Sequence, residues 1–290
     1  MLLGRASILG SLAALVGACS ASVESYDTDA ETGSTHAFVS IERRVRIDGT
    51  EHLSTGAVAG FVRAPAALDA RSVAGLIGLG LDLPEPGQCA QRGTGRRSEM
   101  VLSSIGLVEL LDAGDVTIEA EGEPTLLAPR AFPTVTDSIS GVLYTSRDRS
   151  EPLPAMAPYR LKTSGGSNLP ALRAEAFAPG ALEQVTVGGL PLEELTEIDV
   201  RQPMDLTWAV GEPGDLVYVE LAVAGQPTTI CSFRDDAGAG TVSGSLAPAG
   251  ASGRVGVHRL RSLPFTAEEV DRAELRFDFE LSAQVDFIDG

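Results

Sequence analysis

The sequence predicts an all-β protein whose body is two β-sandwich domains. Three observations predict it. The 290 residues are 43% hydrophobic with 32 Gly and 17 Pro, enough apolar mass for a sizeable core and enough turn-formers to punctuate many short strands. Leu275, Phe277, Phe279, Leu281, Ala283, Val285 and Phe287 stand at odd positions, and Arg276, Asp278, Glu280, Ser282, Gln284 and Asp286 at even ones, the period-2 alternation of a half-buried strand. The run Glu151-Pro-Leu-Pro-Ala-Met-Ala-Pro158 is rich in proline and reads as a linker. It divides the body into residues 37–155 and 156–290, with Pro191 to Pro203, near residue 197, as the alternative boundary.

The strands follow in chain order. Val39, Ile41, Val45 and Ile47 share one parity and Glu42, Arg44, Arg46 and Asp48 the other, so one sheet face is apolar and one charged. Asp48-Gly49 is a turn signal, and Leu53 to Arg63 returns as the partner strand. Ile105 to Leu111, Asp112-Ala-Gly-Asp115 and Val116 to Ala120 read as a second hairpin, although Met100 to Leu111 also fits a short helix. Gly141 to Thr145 is a further strand. In the second half, Asp205 to Val210 holds the single Trp, Trp208; Leu216 to Val223, Thr228 to Phe233 and Val255 to Arg261 follow. Thr266-Ala-Glu-Glu269 fits a capping box and predicts one helical turn before the last strand. No 20–50-residue period recurs, which argues against a propeller or solenoid.

The first residues read differently. Arg5 is the lone charge before Glu24, and Ile8 to Val16 is an apolar stretch too short for a bilayer, the layout of a secretory signal. It ends in Val16-Gly17-Ala18-Cys19, which resembles the lipobox of bacterial envelope lipoproteins: an aliphatic residue, two small ones, then Cys. The resemblance implies that residues 1–18 are a signal peptide and that Cys19 is the lipidation site. The protein would then be held to the membrane of the cell envelope through the lipid anchor. Ser20, where an Asp would retain the protein in the inner membrane of enteric bacteria, leans the localisation towards the outer membrane. Residues 19–36 form an acidic, base-free tether with Glu24, Asp27, Asp29 and Glu31. As a flexible chain it spans roughly 20–25 Å, and its acids repel anionic lipid.

The second half is similar to modules of envelope lipoproteins from high-GC Gram-negative bacteria. The matching residues are Gly165-Gly166, Ala178-Pro179, Leu206-Thr-Trp208, Asp215-Leu-Val-Tyr218 and Ile230-Cys231 with Asp235-Asp236-Ala-Gly238. The likeness spans Tyr159 to Gly240. It implies an immunoglobulin-like sandwich with Trp208 in its core, and it implies no activity. The antibody-type Cys pair around a Trp is absent, since Cys231 alone lies in this half.

Candidate chemistry is sparse. Asp plus Glu is 40 and Lys plus Arg 22, a net charge of −18, which argues against nucleic acid as a partner. His36, His52 and His258 are scattered and have no zinc spacing, which leaves a zinc site from scattered ligands or a nonlocal triad as the chemistry open to them; His258 reads more simply as a half-exposed strand residue. Gly165-Gly166-Ser167-Asn168-Leu169 fails the nucleophile elbow at its last position, and Gly78-Leu-Gly80 reads as a tight turn rather than a dinucleotide loop. Asp235 and Asp236, before a Gly-rich turn, are weak calcium candidates, with a solvated turn as the simpler reading. Once Cys19 is acylated, Cys89 and Cys231 remain; in an oxidising compartment they permit one disulfide, the alternative being two separate thiols. No cofactor is expected. The expected function is noncatalytic: an adhesion, binding or assembly module for a protein or carbohydrate ligand that the sequence does not name. The alternatives are a lipid-anchored hydrolase with a nonlocal site and a carbohydrate-binding module.

Overall fold

The computed structural model describes residues 33–47, 51–92, 107–132, 139–147, 150, 153–244 and 250–289. The expected signal, Cys19, most of the expected tether and the Asp48-Gly49 turn signal lie outside them. Strands β1 (Ser34–Ile47) and β2 (Glu51–Ala64) form the first antiparallel hairpin, where the alternation places it. Helix α1 (Ala70–Leu76) follows, its N-terminus capped by Asp69, whose carboxylate accepts from the Ser72 N–H at 2.7 Å. An extended strap then leads to β3 (Cys89–Arg92). Next come β4 (Val108–Leu110), β5 (Val116–Ala120), β6 (Glu123–Ala131), β7 (Ile139–Ser146), β8 (Pro158–Thr163) and β9 (Arg173–Phe177). The remainder is β10 (Thr186–Val187), β11 (Leu190–Pro191), β12 (Glu197–Asp199), β13 (Met204–Thr207), β14 (Leu216–Val223), β15 (Thr228–Arg234), β16 (Ala239–Val242), β17 (Ala251–Ala267) and β18 (Val270–Ile288).

One 14-stranded sheet runs in the order β3-β15-β14-β17-β18-β1-β2-β4-β7-β6-β5-β8-β9, with β12 added beside β18; β11-β10-β13-β16 make a second, 4-stranded sheet. Thr32–Gly290 is one compact unit. The boundary expected near residue 155 does not separate sheets. β5 pairs with β8 across it, and β1 pairs in parallel with β18, joining the first strand of the body to the last. Proline breaks a ladder locally, but it says nothing about which distant strand closes a sheet.

The odd faces of β17 and β18 carry both of the larger hydrophobic clusters. Leu275, Phe277 and Phe279 pack with Val39, Ile41, Phe61, Tyr144 and Tyr159 in one. Val255, Val257, Val285 and Phe287 pack with Trp208, Val217, Val219 and Phe233 in the other. The strong alternation of β18 is thus the floor of two cores in succession.

Two local expectations change. The hairpin expected of Ile105–Leu111 with Val116–Ala120 does not form within the described residues, which begin at Leu107 and leave most of the alternative helix Met100–Leu111 outside: β4 pairs with β2 and β7, and β5 with β6 and β8. The turn between them is a corner instead. Asp112 Oδ1 accepts from the Gly114 N–H at 2.9 Å and from the Tyr144 hydroxyl at 2.8 Å, while that hydroxyl accepts from the Ala113 N–H at 2.8 Å. Thr266–Glu269 is not helical either. β17 runs on through Ala267, and Ala267 pairs with Val270 around a tight turn with Glu269 at φ 59°.

The corner predicts a pH dependence. Burial and the bond to Asp112 push the Tyr144 hydroxyl up to about 12, and burial pushes Tyr159 and Tyr218 up as well. An unfolded tyrosine ionises near 10. The stability these neutral rings contribute is therefore complete below about pH 10 and falls as pH rises through 12. Urea midpoints measured between about pH 9 and 12 should decline, and Tyr144→Phe should flatten part of that decline. An unchanged slope in the variant would contradict the assignment.

Candidate functional site

Two features of the even face of the large sheet could bind or react. The first is a cavity of about 340 Å³ under the strap. Its floor includes Phe38, Leu216 and Leu260 with Ser40, Ser262, Glu274 and Arg276; its roof includes Leu79, Leu81 and Leu83. The strap is tied at both ends. Arg276 Nη2 donates to the Leu79 carbonyl. At the far end the Gly87 N–H donates to the Ser232 carbonyl at 2.6 Å, β3 pairs with β15, and Cys89 is joined to Cys231 in a disulfide. Cys231 is fully buried while β3 is exposed, so the bridge fixes an exposed edge strand to a core strand.

The second feature is a polar array beside the cavity. Asp278 accepts from the Tyr218 hydroxyl at 2.7 Å and contacts His258 Nδ1 at 2.9 Å, and the Tyr218 and His258 rings stack 4.1 Å apart. An ionised carboxylate only accepts, so the ring proton is assigned to Nδ1. Burial alone would raise the Asp278 carboxyl, but the bonds from His258 and Tyr218 bring it below its usual value. His258 Nε2 is buried without a hydrogen-bond partner; Glu220 Oε2 is 3.9 Å away. Arg254 bridges Glu220 and Glu280 through one oxygen of each, and Arg44 Nε stands 3.4 Å from the other oxygen of Glu280. A side chain at Gly256 would meet His258 Nε2 at 3.0 Å and both Arg254 Nη1 and Glu280 Oε1 at 3.3 Å, so the array packs tightly against the bare backbone there. The array resembles the acid–histidine half of a triad without a hydroxyl on the second nitrogen.

The sequence-derived calcium candidates are engaged otherwise. Asp235 is fully buried and faces Arg259: Nη2 donates to Oδ1 at 3.0 Å, and Nε stands 2.7 Å from Oδ2, off the line of a hydrogen bond. Arg259 also donates to the Ala181 carbonyl at 3.0 Å and to the Ala209 carbonyl. Asp236 pairs with Arg234 at 2.6 Å. Among the described residues, no group of three or more His, Cys, Asp or Glu converges to hold a metal. Arg261, two residues on, holds Asp215 in a bidentate pair at 2.8 and 2.7 Å. These bonds raise the Arg261 pKa. Both arginines sit on the odd face of β17, between Val257 of one core and Leu263 of the other. Sequence reading missed them; the signal available was two Arg at the apolar parity of a strand.

Trp208 is buried at 5% exposure, its ring tilted 45° to that of Phe233 at 6.0 Å, with its indole N–H donating to the Asp235 carbonyl at 3.0 Å. It is therefore not a flat sugar-stacking platform. His36 is buried, which lowers its pKa.

The disulfide carries a measurable expectation. Cys89→Ser with Cys231→Ser should cost about 2–4 kcal/mol, because the bridge spans 142 residues of sequence and its loss frees the unfolded chain. The urea midpoint under nonreducing conditions reads it, and a loss below about 0.5 kcal/mol would show the bridge to be energetically idle.

No protein family matches the chain, and no curated protein does. Among solved structures, the zebrafish (Danio rerio) Fcho1 mu homology domain with bound Eps15 peptide is similar over 88% of this chain and 98% of that one, at 9% identity and a TM-score of 0.25. The chicken CNTN1 FN1–FN3 domains are similar over 86% of this chain and 95% of theirs, at 10% identity and a TM-score of 0.23. Likeness at that level defines no function.

Proposed function

We propose that the protein is an exported lipoprotein of the bacterial cell envelope, anchored through Cys19, whose all-β body is a noncatalytic binding module. The observation that carries the reading is the lipobox Val16-Gly17-Ala18-Cys19. The disulfide between the two remaining cysteines supports it, since such bridges persist in exported proteins and are rare in the cytosol. Ser20 favours the outer membrane. The body is read as two immunoglobulin-like sandwich lobes sharing β17 and β18, a reading supported by the two hydrophobic clusters on one face of those strands. Binding is favoured over hydrolysis because the best acid–histidine pair, Asp278 with His258, has no hydroxyl on its second nitrogen.

Acyl chains contribute about 0.8 kcal/mol per buried methylene, and stable anchoring takes more than one chain. A diacylglyceryl thiol with an acylated amine meets that need. Wild type should partition into the detergent phase with Cys19 as an acylated first residue. Cys19→Ala should leave an uncleaved precursor or an aqueous form. Detergent phase partitioning with N-terminal mass spectrometry decides; an aqueous wild type with an unmodified Cys19 sinks the lipoprotein reading.

A further inference from the structure

We propose that the cavity under the strap is a binding site for a small zwitterionic amphiphile: an ammonium and an anionic group a few bonds apart, on an apolar body. The inference deepens the binding-module reading and rests on it. Three observations carry it.

The first is room of the right kind. About 340 Å³ falls inside the roughly 300–1,000 Å³ range of small-molecule sites, and leucines of both strap and sheet face it. The second is an anion subsite. Arg276 on β18 stands in register with Ser40 on β1 and Ser262 on β17, so a guanidinium lies between two hydroxyls on one face of three adjacent strands. All three line the cavity. Its bond to the strap uses one nitrogen on a neutral carbonyl, and although its charge acts on Asp278, the two form no ion pair. The third is a cation subsite. Glu274 lines the same cavity two residues away on the same face, is half-buried, and makes no hydrogen bond or ion pair among the described residues. Arg276 and Glu274 do not bond each other. A partly buried carboxylate beside a guanidinium, neither neutralised by the other, suits a ligand that carries both complementary charges and lays its apolar part against Leu79, Leu81 and Leu83. A simple anion would meet Glu274, and a simple cation Arg276.

Two sources share this chemistry: an apolar α-amino acid, and the ethanolamine phosphate head of a short-chain phospholipid. The test titrates the full chain, in a nonionic sugar detergent, with L-leucine and with dihexanoyl phosphatidylethanolamine by calorimetry. Leucine amide and N-acetylleucine serve as probes lacking one charge. Saturable binding of either zwitterion is expected, about tenfold tighter than either blocked probe. Arg276→Gln should weaken the zwitterion about tenfold without weakening leucine amide, which it frees from a like charge; Glu274→Gln should weaken the zwitterion similarly without weakening N-acetylleucine. Binding of phosphatidylethanolamine alone, or of leucine alone, identifies the source within the proposal. The proposal is overturned if neither zwitterion saturates below about 10 mM, or if the blocked probes bind as well. It is also overturned if the variants, with unchanged circular dichroism and an intact disulfide, bind like wild type. The lipoprotein reading stands or falls separately, on the state of Cys19.

Discussion

Asp235→Ala is expected to destabilise the body by about 3–5 kcal/mol. The substitution removes the carboxylate opposite Arg259 and leaves a buried guanidinium facing carbonyls that compensate no charge. Gly211 sharpens the case. A Cβ there would come within 2.0 Å of Asp235 Oδ2, so the backbone at Gly211 lies directly against the carboxylate. Urea unfolding at neutral pH reads the loss. A change below about 1 kcal/mol would mean the pair is dispensable. Changing Asp235 and Arg259 together to residues of apolar character and similar volume should recover most of it, because burying two charges is itself costly.

Trp208→Ala is the second large effect, also about 3–5 kcal/mol. The ring is buried among Val217, Val219 and Phe233, and its truncation leaves a cavity that two β-sheets cannot easily close. Its N–H bond to the Asp235 carbonyl makes the two sites neighbours, so the double variant Trp208→Ala, Asp235→Ala should cost less than the sum of the singles. Thermal unfolding of the three variants gives the coupling. As the single Trp of the chain, Trp208 also makes wild-type fluorescence a probe of this cluster. A near-neutral Trp208→Ala would withdraw the residue from the core.

The legible parts of the fold were those whose signal is local. The alternation of β18 and the apolar run of β14 both state the conformation of the residues that carry them. The parallel pairing of β1 with β18 has no such signature, because a strand's parity says which face is buried and not which strand lies beside it. The strap was opaque for a related reason. Gly78 has φ +82°, as a tight turn requires, but the leucines after it reveal their purpose only once a sheet face lies beneath them. At the candidate site, Asp235 was visible as an unusual acid near glycines. Oxygen donors in a flexible turn suggest a metal ion; the partner instead is Arg259, on a strand 24 residues further on. Arg259 and Arg261 stand unremarked at the apolar parity of their strand, although they are the joint where one core gives way to the next.

The pairing of β1 with β18 also sets an order of events. Thr35 accepts no settled neighbour on that side until Asp271 exists, since its N–H donates to a carboxylate 236 residues away. In a chain delivered from its N-terminus, β1 and β2 emerge first and can form their hairpin at once. The outer edge of β1 then waits, unpaired, while nearly the whole body is produced. Contacts of such range fold slowly, and an open strand edge is a template for the wrong partner. The arrangement favours a chain kept unfolded until its last strand has arrived, and a final step in which β18 slots between β1 and β17 and completes both cores together.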